Sequence, residues 1–100
     1  MIELENKIIL VEITTVDANG RNSLDIFFGK VKSANKNTVV VYRPDYTEIE
    51  LPYDESLYME ADEGVYELED GSIQENPDYI ARILSYENMS VFEQHGKVNT

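Results

Sequence analysis

Residues 24–51, LDIFFGKVKSANKNTVVVYRPDYTEIEL, decide how this 100-residue chain folds. They contain three β-type segments, each bounded by turn-forming residues. Residues 24–33 read as a strand in which Leu24, Ile26 and Phe28 share a face and Lys30 and Lys32 alternate about Val31. Gly29 predicts a bulge or sharp bend, because the apolar register shifts across it from Phe28 to Val31. Thr38–Tyr42, TVVVY, is apolar on both sides and reads as a central strand. Arg43-Pro44-Asp45-Tyr46 carries proline at the second position of a turn. Residues 47–51 then alternate, with Ile49 and Leu51 in and Glu48 and Glu50 out, until Pro52 stops the strand.

Upstream, residues 7–16, KIILVEITTV, are dense in β-branched side chains and form the first predicted strand, with Ile9, Val11, Ile13 and Thr15 inward. Asn19-Gly20 supplies a tight reversal after it. Downstream, residues 53–64 read as a loop with one helical turn. Residues 65–69 read as a fifth strand with Tyr66 and Leu68 inward, closed by the Asp70-Gly71 turn. Asn76-Pro77-Asp78 has the form of an N-cap, a first-turn proline and a first-turn acid. A helix to about Asn88 would then place Ile80, Ile83 and Leu84 on one face. The competing reading is a brief turn at 78–80 and a last strand over 81–86. The start signal and the helix formers Ala81, Arg82 and Leu84 favour the helix. Val91 and Phe92 are expected to dock, and residues 95–100 to fray.

These segments predict one mainly β domain over residues 1–100, ordered from about 7 to 92. The expected form is a small curled antiparallel sheet or barrel of about five strands, with one short C-terminal helix. Phe28-Gly29-Lys30-Val31, Thr38–Tyr42 and Glu48–Pro52 together resemble the middle strands of SH3-like small barrels. The resemblance covers about half the chain. SH3-like barrels bind peptides, RNA or other proteins, so it implies a fold and not a function.

Charge is distributed unevenly. Residues 1–44 hold six Lys or Arg against five acids; residues 45–100 hold two against fifteen. Within residues 45–78 there are thirteen acids and no Lys, Arg or His, a formal charge of −13 in a chain whose net charge is −12. Tyr46, Tyr53, Tyr58 and Tyr66 are interleaved with these acids, which a disordered acidic tail lacks. A field of this sign repels nucleic acid and anionic lipid and speeds encounter with basic proteins. Direct nucleic-acid binding and membrane binding are therefore not expected.

Other chemistries find little support. Cysteine is absent, which excludes a disulfide framework, a thiolate nucleophile and a zinc finger. The single histidine, His95, lies in the segment expected to fray, and no G-x-S-x-G or phosphate-cradling glycine motif is present. Neither Gly64 nor Gly71 has acids where a calcium loop needs them. Lys30, Lys32 and Lys36 read as edge lysines that discourage strand pairing. No metal, cofactor or catalytic residue is expected. The start, MIELENKIIL, offers neither a basic leader nor a long apolar run, so a cytoplasmic protein is expected.

The expectation that follows is a non-enzymatic protein-binding domain that blocks a basic partner, such as a toxin or nuclease. Its small, acidic, cysteine-free character is similar to many bacterial immunity, inhibitor and antitoxin proteins. Tyr46, Glu48, Glu50, Tyr53, Asp54, Glu55, Tyr58, Glu60, Asp62 and Glu63 are the expected contact residues. The acids would steer and pair with Lys or Arg, and the tyrosines would anchor. Two alternatives stand beside it. One is an assembly domain that self-associates through strand edges; the other is a small enzyme working with carboxylates. A blander account puts Tyr66 and Tyr53 in the core and leaves the acids to confer solubility.

Overall fold

The computed structural model describes residues 2–86. The described elements are β1 (Ile8–Val16), β2 (Asn22–Ala34), β3 (Thr38–Tyr42), β4 (Glu48–Pro52), a 3-10 turn (Glu55–Leu57), β5 (Tyr58–Glu60), β6 (Val65–Glu67), β7 (Ile73–Glu75) and β8 (Tyr79–Tyr86). Six strands form one sheet in the order β4-β3-β2-β1-β8-β5, and β6 pairs with β7 in a separate hairpin. The fold is mainly β, and the five predicted strands appear as β1 to β4 and β6. No helix among the described residues is long and apolar enough to cross a membrane.

Alternation in β1 sets the two faces. Ile9, Val11 and Ile13 point inward and are buried, against Phe27 and Val31 of β2, Val39 and Val41 of β3, Leu51 of β4 and Ala81 and Ile83 of β8. Leu4, ahead of the first strand, is buried with them at 1% exposure. It is held by the exchange of Asn6 N–H to Val31 C=O and Val31 N–H to Lys7 C=O, at 3.0 and 2.9 Å. The core therefore begins before residue 7.

Three local expectations are corrected. The inward residues of β2 are Phe27, Gly29 and Val31 in unbroken alternation, so no register shift occurs at Gly29. The bulge lies between Val31 and Ser33, after which Ala34 turns inward opposite Val39. Gly29 is present for space: a Cβ there would meet Val41 Cγ1, and would lie 3.1 Å from the Tyr42 carbonyl oxygen. Lys30 and Lys32 stand on an interior strand, not an edge, and Lys32 is paired with Glu48 at 3.1 Å.

The third correction concerns residues 77–86, which form no helix. Tyr79–Tyr86 is a strand running parallel to β1, in register from Ile9↔Tyr79 to Val16↔Tyr86. Asn76 takes φ 46° and bonds Gly64 in both directions, so it closes the β6–β7 hairpin. The Asp78 carboxylate accepts from the Ile8 amide at 2.9 Å, and the Asp78 amide donates to the Ile8 carbonyl at 2.8 Å. An unpaired edge of β1 outweighs local helix propensity, because every backbone group along it requires a partner. Residues 87–92 of the expected helix and docking segment, and the tail bearing His95, lie outside the described residues.

Six strands laid flat would separate β4 from β5 by about 24 Å, five spacings of about 4.8 Å. Instead the Tyr58 hydroxyl, at the start of β5, donates to the Pro52 carbonyl, at the end of β4, at 2.7 Å. The sheet is therefore strongly curled, and its two edge strands meet at one corner. No ladder joins β4 to β5, so the sheet is not closed into a barrel. The stacked rings of Tyr53 and Tyr58, 5.8 Å between centroids, fill that seam. Tyr53 Oη in turn accepts from the Ile2 amide at 3.1 Å.

Candidate partner-binding surface

Three hairpins in this molecule turn by the same five-residue device. In residues 17–21, 43–47 and 68–72 the fourth residue donates to the first carbonyl. The first amide donates to the fifth carbonyl. The fourth residue sits in the left-handed region each time: Gly20 at φ 80°, Tyr46 at φ 68° and Gly71 at φ 90°. Glycine takes that conformation freely; a β-carbon there costs about 1–2 kcal/mol. Tyr46 bears that strain while 84% exposed, so no packing contact of its ring offsets it. The strain is therefore held by the hydrogen bonds of the turn and not by packing of the ring.

The thirteen acids of residues 45–78 are all exposed, but they divide by role. Asp45, Asp54, Asp70 and Asp78 hold the backbone, accepting from the amides of Thr47, Ser56, Ser72 and Ile8 at 2.9–3.0 Å. The hydroxyl and then the amide of Thr47 hold the Asp45 carboxyl below its usual range. Ser56 does the same for Asp54, and Ser72 for Asp70. The glutamates are different. Among the described residues, Glu48 alone of these thirteen acids forms an ion pair, with Lys32. The remaining glutamates project charge without a counter-ion among the described residues.

The ten expected contact residues fall into three settings. Tyr46, Glu48 and Glu50 follow one another along the tip and free edge of β4. Asp54 caps the 3-10 turn and Glu55 opens it; Glu60 ends β5, and Asp62 and Glu63 lead into the small hairpin. Tyr53 is half-buried and Tyr58 buried at 6%, so neither phenol ring stands on the surface as an anchor. Burial, and then the charge of Tyr53, push the Tyr58 phenol up to about 12. The blander account thus holds for Tyr53, which packs against the core, and Tyr58, which it did not name, is buried as well. Tyr66 is half-buried, paired across its hairpin with Gln74 and on the same side of it, and its hydroxyl donates to the Asp62 carbonyl at 2.8 Å.

The outer face of the sheet presents a second type of surface, which sequence reasoning did not single out. Leu24, Thr14 and Leu84 form one row across β2, β1 and β8; Ile26, Glu12 and Arg82 form the next, and Phe28, Leu10 and Ile80 the third. The β6–β7 hairpin leans over part of this face, with Glu67 to Asp70 beside Leu24 and Ile26 and Gln74 beside Phe28. Leu10 is buried there, whereas Leu24 and Leu84 remain 60% and 58% exposed. Among the described residues no cluster of three or more His, Asp or Glu is arranged to hold a metal ion. Compared with protein families, curated proteins and solved structures, the chain matches none.

Proposed function

We propose that this chain is a non-enzymatic binding protein of the inhibitor, immunity or antitoxin type, acting from the cytoplasm to block a basic protein partner. The observation that carries the reading is Tyr46. It occupies the position filled by glycine in the two sister turns, it is exposed, and it sits at the head of the Glu48–Glu50 edge. An aromatic ring displayed near exposed carboxylates matches the composition of binding hot spots, where aromatics anchor and charges steer. The contact set is then Tyr46, Glu48 and Glu50, continued by Glu55, Glu60, Asp62 and Glu63.

Tyr46→Gly separates binding from folding. The variant is expected to be more stable by about 1 kcal/mol, because glycine relieves the left-handed strain. It is also expected to recover less of a basic protein than the parent in pull-downs from the native host at low salt. Recovery by the parent should fall steeply as salt rises. A variant that is more stable and captures the partner equally well would remove Tyr46 from the interface. Capture indifferent to salt, or no basic protein at low salt, would overturn the electrostatic reading.

A second reading, an assembly domain that self-associates, is favoured by the exposed Leu24–Thr14–Leu84 row. Light scattering decides it. A mass that stays monomeric at all concentrations argues against it, and a concentration-dependent dimer lost in Leu84→Lys supports it.

A further inference from the structure

Strand β4 is an edge of the curled sheet, and its hydrogen-bond phase can be read from its two ends. Arg43 N–H donates to Thr47 C=O at 2.8 Å, and Tyr53 N–H donates to Asn37 C=O at 3.0 Å. In an antiparallel ladder the bonded pairs recur every second residue, so Thr47, Ile49, Leu51 and Tyr53 turn their amides and carbonyls toward β3. Glu48, Glu50 and Pro52 turn theirs away. The Pro52 carbonyl is taken by the Tyr58 hydroxyl, which agrees with that phase. Glu48 and Glu50 are left with outward amides and carbonyls, and both residues are exposed.

We infer that this edge receives an extended segment of the partner as an added strand, of the pattern basic–apolar–basic. The inference rests on the proposal that the acidic surface binds a cationic protein, and names how it does so. In a strand added antiparallel to β4, the residues bonded to Glu48 and Glu50 lie directly opposite them, about 5.5 Å away between Cα atoms, with side chains on the same face. Lys or Arg at those two places meets the two carboxylates. The residue between them faces the side of half-buried Ile49 and is apolar.

Glu50 makes no ion pair among the described residues and is the stronger of the two sites; Glu48 shares its cation with Lys32. A second copy of this chain is excluded as the occupant, because pairing β4 with itself sets Glu48 and Glu50 against one another. Pro52 has no amide and its carbonyl is occupied, so the added strand is limited to two bonded residues.

The test uses the full chain, isotopically labelled, with a capped peptide of alternating Lys and Val at low salt. Two analogues carry the same charge, one N-methylated on its lysine amides and one on its valine amides. Lysine methylation removes the donors that face Glu48 and Glu50, and is expected to weaken binding by about tenfold or more. Valine methylation is expected to leave affinity within about twofold, since those amides point away from the edge. Exchange of the Glu48 and Glu50 amide protons should slow on binding. If both analogues bind as the parent peptide does, with salt-sensitive affinity, the added strand is wrong and the acidic-surface proposal stands. If no peptide binds at low salt, the added strand is wrong, and the host pull-down alone decides the proposal beneath it.

Discussion

Gly29→Ala is expected to destabilise the fold by about 2–3 kcal/mol, the characteristic penalty of overpacking a filled core. The backbone at Gly29 is ordinary extended chain, so the penalty is one of space. The new methyl would fall on Val41 Cγ1 and crowd Phe27 Cε2 at 3.2 Å. Val41 is fully buried, and its β-branched side chain is restricted at χ1, so it does not readily give way. Urea unfolding should show a lower midpoint with an unchanged slope. Val41→Ala in the same chain removes the obstructing methyls, so the two changes should combine to much less than their sum. Gly71→Ala is the contrast: its φ of 90° makes it a conformational loss of about 1 kcal/mol that no core truncation rescues. An unchanged midpoint in Gly29→Ala would mean that β2 and β3 pack less closely at Gly29 than these distances require.

Tyr58→Ala should be comparably severe, at about 3–5 kcal/mol, because it empties a ring-sized space where the two edge strands meet. Tyr58→Phe keeps the ring and its stacking on Tyr53 and loses only the bond to the Pro52 carbonyl, for about 1 kcal/mol. The phenol also carries a pH signature. Its native value of about 12 lies above the ordinary value of 10.0, so the fold holds the neutral form. The stability it contributes is complete below about pH 10 and is lost as pH rises toward 12. Titrating tyrosinate absorbance should reveal a tyrosine that ionises near pH 12 and is missing from Tyr58→Phe. A Tyr58→Phe profile that matches the parent's near pH 12 would contradict the burial of the phenol.

The strands of the first half are legible in the sequence because burial there follows alternation. Ile9, Val11 and Ile13 are placed inward by their period alone, and Ile49 and Leu51 likewise. Gly29 stands out as special, but the sequence suggests a bend where the fold requires space. Phe27 and Phe28 are adjacent and both apolar, so the choice between them depends on Val41, which local sequence does not reveal. Residues 76–78 mislead for a similar cause: the Asp78 carboxylate acts on Ile8, distant in sequence, while appearing suited to a helix start.

Of the candidate surface, the charge is fully legible and the fate of the tyrosines is not. Whether a tyrosine anchors or packs is settled by contacts such as Tyr58 with Pro52. Tyr46 does leave a signal in the sequence, though a faint one. The turns D-A-N-G-R, R-P-D-Y-T and L-E-D-G-S share a form in which Tyr46 replaces glycine. Laying these three segments of the chain over one another singles out Tyr46 by residue type alone.

The parallel pairing of β8 with β1 bears on how the molecule comes into being. Strands β1 to β4 are joined by short reversals and can assemble as each leaves the ribosome, whereas β8 must close a loop from Ile8 to Asp78. Until then the long Ile8–Val16 strand, apolar on both sides at Ile9, Leu10 and Val11, exposes an open edge to other nascent chains. The intervening segment carries nearly all of the negative charge. Nascent copies therefore repel one another throughout the interval in which that edge is unprotected, so the acidity of this segment acts before the fold is complete.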